Sequence, residues 1–378
     1  MKIALIRQRY TPFGGAERFV ANAMEALGKE GAQLTIVTRQ WQTDGKTEAL
    51  ICDPFYLGSL WRNWGFARCV CRVLKQQRFD LVQSHERIAC CDVYRAGDGV
   101  HREWLMQRRR VLRFFGKLGI SLNPYHRYTL AAEQRLFHSP GLQAVICNSS
   151  MVRDEILQHF NIAPEKLRVI YSGVDTETFH PGLKTQHRSA LRQHYAIPQD
   201  APLFLFVGSG FERKGLHALL QAMAQLPVHC NLMVVGKDKA ADRYRKMAMQ
   251  LGIDTRIHFV GGQQDVRPFY GAADAFVLPT LYDPFPNAAL EAFACGLPVV
   301  TSSKSGAAEF IRNGENGFVC DALDVTALAS ALTRLADPVY AASLAPRARE
   351  TVSELTPAHM SGRILALYRS LLGLSSAE

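Results

Sequence analysis

Short apolar runs alternate with segments of helical spacing along almost the whole chain of 378 residues. Each run has the length of a buried strand, and the segments between the runs are long enough for helices that cover a sheet. This alternation predicts an α/β fold with parallel sheets covered on both faces. The predicted strands are Ile3–Ile6, Leu34–Val37, Asp80–Gln83 and Ala144–Cys147 in the first half, and Leu203–Val207, Leu232–Val235, Ile257–Val260, Ala275–Leu278 and Val299–Thr301 in the second.

The strands fall into two sets, which predicts two doubly wound, Rossmann-like domains. A turn-rich stretch, YSGVDTETFHPG at 171–182, separates the sets. We therefore expect one domain at 1–170 and another at 171–355, with a C-terminal helix at about 356–378 packing back on the first. Ligands of such sheets bind beyond the carboxyl ends of the strands, so two facing domains would hold a ligand in the central cleft.

Composition favours a cytosolic globular protein. Apolar residues make up 48% of the chain, and no apolar run reaches the roughly 18 residues of a membrane span. The first residues do not resemble a signal peptide. The nine cysteines are scattered without a C-x-x-C pair, which predicts reduced thiols and no zinc site.

The net charge of +10 is concentrated at 101–127, which carries a net +6. We call these residues the basic segment. Its cations are interleaved with large apolar side chains, a pattern that suits an anionic membrane surface. It also suits nucleic acid, or simply a solvated basic helix. The residues expected to contact a membrane are Trp104, Arg108, Arg109, Arg110, Arg113, Phe114, Phe115 and Lys117.

A glycine pair, Gly14 and Gly15, separates the first predicted strand from a helical segment in YTPFGGAERFV. Exposed backbone N–H groups and the positive end of a helix dipole would form an anion site there. A tight strand-to-helix turn is the simpler interpretation.

The stretch LPTLYDPFPNAALEAFACGLPVVTS at 278–302 carries the candidate chemistry. A strand ends near Pro279, and a helix begins near Asn287 and stops at Cys295-Gly296. Asp283 precedes this helix, and Glu291 lies one turn inside it. Backbone N–H groups of Phe285, Asn287 and Ala288 are expected at its start. Two carboxylates beside amide donors suit a polyhydroxyl ligand with a phosphate, although helix capping would use similar residues.

A second candidate stretch is LFLFVGSGFERKGL at 203–216. It predicts a strand, a turn at Gly208 and Ser209, the cations Arg213 and Lys214, and then a helix. Fixed positive charge at this place suits a diphosphate leaving group. The glycine spacing is that of a phosphate loop, but Leu216 stands where such a loop needs lysine.

The D-x7-E pair of Asp283 and Glu291, followed by A-x-A-C-G-L-P-V-V, resembles the donor site of retaining GT-B glycosyltransferases of family 4. The usual pattern there is E-x7-E, so Asp283 is one methylene shorter. The resemblance implies that Asp283 meets the transferred hexose and Glu291 the ribose hydroxyls. It also implies that Arg213 and Lys214 hold the diphosphate.

Further donor contacts follow from the same resemblance. Backbone around Gly262 and Gln263 would meet the base, and the backbone of Gly14 and Gly15 would reach the diphosphate. The implied donor set is Gly14, Gly15, Gly208, Ser209, Arg213, Lys214, Gly262, Gln263, Asp283, Phe285, Asn287, Ala288 and Glu291.

A narrower resemblance rests on CDVYRAGDGVH at 91–101, which is similar to lipopolysaccharide-core glucosyltransferases that act on heptose. It implies UDP-glucose as donor, a lipopolysaccharide core acceptor on the N-terminal domain, and Asp98 near that acceptor. The basic segment takes the place of their membrane-contacting segment. We accordingly expect a monomeric enzyme, peripheral on the cytoplasmic face of the inner membrane, that does not bind nucleic acid.

The implied mechanism is transfer with net retention by Asp98, Arg213, Lys214 and Asp283. The chain has no D-x-D motif, so we expect no metal and no cofactor beyond the nucleotide-sugar substrate. His85, at the end of a predicted strand, is either a cleft residue or structural. Three alternatives remain at this stage: a related transferase with another sugar and acceptor, a nucleotide-sugar epimerase of the same fold, and a non-enzymatic binder of nucleic acid or lipid.

Overall fold

The computed structural model describes residues 1–9, 33–41 and 48–374. The chain forms two compact units, Met1–Ser172 together with Pro357–Glu378, and Gly173–Thr356. In the described ranges, no helix combines the length and apolar character needed to cross a bilayer.

Parallel strands form the sheet of the first unit, as the alternating pattern predicts. The strands are β1 (Lys2–Ile6), β2 (Gln33–Thr38), β3 (Glu48–Ile51), β4 (Leu81–Ser84), β5 (Val93–Arg95), β6 (Ala144–Cys147) and β7 (Leu167–Val169). Their order is β3-β2-β1-β4-β5-β6-β7. The helices are α1 (Gly58–Gln76), α2 (His101–Val111), α3 (Phe114–Leu122), α4 (Pro124–Phe137) and α5 (Ser150–His159). Sequence reasoning missed β3, β5 and β7 because each is short and contains a charged residue, Glu48, Arg95 or Arg168, that breaks the apolar run.

The second unit repeats the architecture with strands β8 (Leu203–Val207), β9 (Asn231–Val235), β10 (Ile257–Gly261), β11 (Ala275–Leu278), β12 (Val299–Ser302) and β13 (Gly317–Cys320). They lie in the order β10-β9-β8-β11-β12-β13, all parallel. The chain winds one way from β8 to β10 and the other way from β11 to β13. The switch point between the two directions therefore lies between β8 and β11, where such sheets bind ligands.

The helices of the second unit are α6 (Leu183–His194), α7 (Leu216–Met223), α8 (Ala241–Gln250), α9 (Arg267–Ala272), α10 (Asn287–Ala294), α11 (Val325–Leu335) and α12 (Pro338–Glu350). The last helix, α13 (Pro357–Leu371), returns to the first unit. Its Ile364 and Tyr368 pack in one cluster with Ile3 and Leu5 of β1. The Tyr368 hydroxyl also donates to the side-chain oxygen of Gln83 in β4.

One prediction about the cysteines is wrong. Cys71 of α1 and Cys90, in the loop after β4, form a disulfide across 19 positions of sequence, with Cα atoms 5.8 Å apart. The scattered spacing concealed this pair because the fold brings α1 over the end of β4. The remaining seven cysteines are free.

A buried polar network holds the beginning of α2 against α4. The His101 backbone N–H donates to Glu133 (2.7 Å), and the His101 and His126 rings share a hydrogen bond of 3.1 Å. Glu133 also accepts from the Arg87 guanidinium at 2.8 Å. Burial, with Arg87 and His126 as lesser causes, lowers the pKa of His101 to about 3. Burial likewise lowers the pKa of His126. Both rings are therefore neutral at pH 7.

Neutral buried histidines predict acid sensitivity of the first unit. The unfolded chain binds protons near pH 6.5 but folded His101 does not, so stability is complete above pH 6.5 and is lost as the pH falls from 6.5 toward 3. We expect His101 to contribute a loss of about 1 kcal/mol between pH 7.5 and 5.5. Urea unfolding at the two pH values measures it. His101→Gln should reduce the pH dependence, whereas exposed His138→Gln should not. Equal pH dependence in wild type and His101→Gln would contradict the assignment.

Candidate active site

The predicted donor residues of the second unit gather at one edge of its sheet. Gly208 to Lys214 follow β8, Gly262 and Gln263 follow β10, and Asp283 to Asn287 follow β11. Carboxyl ends of parallel strands share an edge, so the topology alone brings these loops to the switch point.

The turn after β8 depends on close approaches that only glycine permits. Gly215 has φ +78°, and a β-carbon there would lie 1.8 Å from the carbonyl oxygen of Pro279. Gly208 donates its N–H to Val235 (2.9 Å), and the Phe211 N–H donates to the carboxylate of Asp238 (2.7 Å). The turn is therefore anchored to both neighbouring loops before α7 begins at Leu216.

Arg213, Lys214 and Asp283 form one ion cluster. The Lys214 ammonium contacts the Asp283 carboxylate, and Arg213 donates to the same carboxylate oxygen at 3.3 Å. Arg213 also donates to the Tyr282 carbonyl at 3.0 Å, and its own carbonyl accepts from the Leu281 N–H at 2.8 Å. The sequence pointed to each charge separately but did not predict that they pair.

Asp283 is buried and stays ionised. Burial alone would raise the pKa of its carboxyl, but Lys214 and Arg213 together hold it below the ordinary value. Its backbone N–H donates to the Lys304 carbonyl at 3.0 Å, and its carbonyl accepts from Gly306 at 2.9 Å. These backbone hydrogen bonds join Asp283, in the loop after β11, to the loop after β12.

Helix α10 begins and ends where the sequence predicts. It spans Asn287–Ala294, and Gly296 follows with φ +75°, in the left-handed region that glycine favours. Within the described part of the chain, the N–H groups of Asn287 and Ala288 in its first turn donate no hydrogen bond. They are available to an anion. The buried ring of Phe285 packs edge-on against Phe310 at 5.9 Å.

Glu291 is buried and has a partner that sequence reasoning missed. The Tyr270 hydroxyl contacts a Glu291 carboxylate oxygen at 2.9 Å and lies 3.1 Å from the Ala288 carbonyl. Tyr270 belongs to α9, whose sequence RPFYGA shows a buried aromatic but no sign of a functional role. The hydroxyl fixes the carboxylate one turn inside α10.

The loop after β10 lies beside the loop after β9. Gly236 donates its N–H to the Gly261 carbonyl at 2.8 Å, and a β-carbon on Gly262 would lie 3.3 Å from the Lys237 side chain. Gln263 donates from its side chain to the Val260 carbonyl at 2.8 Å and is exposed. Both residues present backbone at the same sheet edge as Arg213.

The remaining predicted site residues belong to the first unit. Asp98 follows β5 and is exposed, with an oxygen 3.9 Å from the Arg87 guanidinium. His85 is buried, and its ring shares a hydrogen bond of 2.9 Å with Gln83. Burial, assisted by two arginines, lowers the pKa of His85 well below its ordinary value, so it is neutral and part of the core. Gly14 and Gly15 lie outside the described residues.

The basic segment exposes apolar and cationic side chains together. Phe114 is 74% exposed and Phe115 83%. Arg108 and Trp104 are half-buried, so less of each side chain can contact a surface than in the exposed residues around them. Other exposed members are Met106, Arg109, Arg110, Val111, Arg113, Lys117, Leu118 and Leu122.

Comparison with known proteins matches both halves of the chain to glycosyltransferases. Residues 13–178 match the family described as Glycosyltransferase Family 4, and residues 187–351 match Glycosyl transferases group 1. The lipopolysaccharide core biosynthesis glycosyltransferase LpsE of Rhizobium meliloti is 30% identical over 345 residues, covering 90% of this chain and 91% of LpsE. The lipopolysaccharide glucosyltransferase WaaG of Escherichia coli is 27% identical over 325 residues, covering 84% and 85%.

A solved structure has the same fold. The crystal structure of WaaG superposes with a TM-score of 0.83 at 23% sequence identity, over 97% of this chain and 99% of that one. Three findings agree with one another: parallel sheets in two units, the predicted donor residues at the switch point of the second, and relatives along nearly the full length. The chain is therefore a GT-B glycosyltransferase that belongs to family 4.

Proposed function

We propose that the protein transfers glucose from UDP-glucose to a lipopolysaccharide core acceptor, with retention of configuration and without a metal ion. The sugar and acceptor are supported by the similarity to LpsE and WaaG, whose names state lipopolysaccharide core biosynthesis and glucosyl transfer. Because the chain belongs to a glycosyltransferase family, the epimerase and the non-enzymatic binder are no longer candidates.

The observation that carries the proposal is the cluster of Arg213, Lys214 and Asp283 at the switch point. It combines two cations with a buried carboxylate beside the open N-terminus of α10. Cations and amide donors match the diphosphate, and a carboxylate accepts hydrogen bonds from sugar hydroxyls. Glu291, fixed by Tyr270, supplies a second carboxylate for the ribose hydroxyls.

In the proposed reaction, the bond between the anomeric carbon and the diphosphate oxygen breaks while an acceptor hydroxyl attacks from the same face. The new glycosidic bond forms, and the hydroxyl proton passes to the departing phosphate oxygen. Negative charge grows on the leaving group, so Arg213 and Lys214 act more strongly in the transition state than in the ground state. Asp283 positions the hexose, and Asp98 is assigned to the acceptor.

We further propose that the basic segment adsorbs to the anionic cytoplasmic face of the inner membrane, where a lipid-linked core acceptor would be reached. Exposed Phe114 and Phe115 beside exposed Arg109, Arg113 and Lys117 support this assignment. Each cation near such a surface contributes about 1 kcal/mol, and the aromatic rings add apolar burial.

Removing the charge of Glu291 should weaken donor binding. Glu291→Gln loses charged hydrogen-bond acceptors, worth about 1.5–3 kcal/mol, so UDP-glucose should bind roughly 10- to 150-fold more weakly by calorimetry. Tyr270→Phe should raise KM for the donor several-fold and leave kcat nearly unchanged, because it only positions Glu291. Tyr244→Phe, another buried tyrosine of the same unit, is the matched control. Unchanged affinity in Glu291→Gln, toward UDP-glucose and other nucleotide sugars alike, would exclude the donor assignment.

Removing a diphosphate cation should reduce turnover. Lys214→Met should lower kcat by roughly 10²- to 10³-fold, since it removes a charge that stabilises the leaving group. That variant leaves Asp283 with one partner fewer, so the double variant Lys214→Met/Asp283→Asn, which removes both buried charges, controls for loss of folding. Wild-type activity should survive EDTA. Strict dependence on added Mg²⁺ or Mn²⁺ would show that the metal-free mechanism is wrong.

Neutralising exposed cations of the basic segment should weaken membrane adsorption. Changing Arg109, Arg110, Arg113 and Lys117 to Gln removes about 4 kcal/mol, or roughly 10³-fold, of affinity for anionic vesicles in co-sedimentation. Wild-type binding should fall at high salt because screening shortens the attraction.

The matched control changes four exposed cations elsewhere, Arg78, Arg168, Lys246 and Arg312, to Gln. It should bind vesicles as wild type does. Donor hydrolysis in solution should survive in both variants. Equal binding of wild type to neutral and anionic vesicles, or to neither, would mean that the segment is an ordinary solvated surface.

A further inference from the structure

The first unit contains a cavity of about 430 Å³ that none of the functions above uses. We call it the basic cavity. Its walls are α1, the loop after β4 and α4, and the side chains relevant here are Trp64, Arg68, Arg72, Lys75, Tyr128 and Arg135. The volume suits a ligand of monosaccharide size.

Three cations of the basic cavity lie on one face of one helix. Arg68, Arg72 and Lys75 stand at positions i, i+4 and i+7 of α1, the spacing that places side chains in a row. Like charges at this spacing destabilise a helix by about 0.2–0.5 kcal/mol per pair. Arg135 of α4 adds a fourth positive charge to the cavity.

Among the described residues that line the cavity, none carries a carboxylate to compensate these charges. Among the described residues, no ion pair joins Arg68, Arg72, Lys75 or Arg135 to an acidic side chain. Arg87, which also lines the cavity, differs from them. It is paired with Glu133 at 2.8 Å and lies 3.9 Å from Asp98. The α1 and α4 cations therefore carry the uncompensated charge.

Aromatic rings hold two of the guanidinium groups. Arg68 lies over the ring of Trp64 at 5.1 Å, and Arg135 lies over the ring of Tyr128 at 5.8 Å. Such contacts restrict the guanidinium groups and reduce the entropy lost when they bind a ligand. The Cys71–Cys90 disulfide joins two of the three walls, so the cations of α1 are held against the loop after β4.

We propose that the basic cavity binds the phosphoryl group of a phosphorylated saccharide. A phosphate monoester carries about −1.5 to −2 charges and three acceptor oxygens, which matches several cations better than a single carboxylate does. Arginine forks bind phosphate oxygens in pairs, and the rings of Trp64 and Tyr128 supply apolar surface for a sugar. The residues of this site lie within 64–135 and do not include the proposed donor residues, although Arg87 in its wall lies 3.9 Å from Asp98, which is assigned to the acceptor.

The test titrates glucose 6-phosphate and inorganic pyrophosphate into the full-length protein by calorimetry. Because the donor site also attracts phosphates, the background variant is Arg213→Ala/Lys214→Ala/Asp283→Asn, which removes the buried carboxylate together with its two cationic partners. We expect this background to keep one phosphate site, and Arg68→Gln/Arg72→Gln/Lys75→Gln added to it should weaken both ligands at least tenfold. The matched control, Arg78→Gln/Arg168→Gln/Arg363→Gln, removes the same charge from exposed positions and should change affinity less than threefold.

Thermal unfolding provides a second readout that does not depend on activity. The α1 triple variant should be at least as stable as its background without ligand, since like-charge repulsion along the helix is relieved. Glucose 6-phosphate should raise the melting temperature of the background but not of the triple variant. Trp64→Ala should weaken glucose 6-phosphate more than pyrophosphate.

Other outcomes overturn the proposal. If the Arg213→Ala/Lys214→Ala/Asp283→Asn background binds neither phosphate, the cavity is not a phosphate site. If the α1 triple variant and the matched control bind the two phosphates with equal affinity, the cavity is likewise not a phosphate site. If soluble phosphates fail but vesicles containing phosphatidic acid bind in an α1-dependent way, the surface recognises a lipid headgroup instead of a saccharide.

Discussion

The ion cluster of Arg213, Lys214 and Asp283 is the interaction on which the candidate active site depends. Asp283 and Lys214 are largely removed from water, which is costly unless their charges compensate each other, and the partly exposed Arg213 adds a second cation to the same carboxylate. The backbone achieves this through Gly215, whose missing β-carbon lets the turn after β8 meet Pro279 at the end of β11. The carboxylate is then ionised, buried and in contact with both cations before any ligand arrives.

This arrangement gives a physical reason for the site's position in the fold. The loops after β8 and β11 leave the sheet at its switch point, the place where such sheets bind ligands, and they contact each other there through the ion cluster. The same edge presents the N-terminus of α10 and the carboxylate of Glu291, oriented by Tyr270. The charges, the helix N-terminus and the Tyr270 hydroxyl therefore lie at one sheet edge because the strand order brings their loops together there.

In the first unit, the buried ionisable groups are paired or neutral, whereas many surface cations have few partners. Its interior charges are neutralised, as in Arg87 with Glu133 and in the neutral rings of His101 and His126. Its surface cations are concentrated in the basic segment and around the basic cavity, where described partners are few. Uncompensated charge thus marks two surfaces of this unit as candidates for anionic ligands of different kinds, a membrane and a phosphorylated saccharide.

The sequence by itself determined the fold class and most elements of the candidate site. Apolar runs such as Leu203–Val207 and Ala275–Leu278 are strands because continuous burial on both faces requires them, and Gly296 ends α10 because of its conformational freedom. Only the tertiary structure decided the pairing of Lys214 with Asp283, the hydroxyl of Tyr270 on Glu291, and the Cys71–Cys90 disulfide. Each joins residues from different elements, and local spacing carries no information about which loops the sheet order brings together.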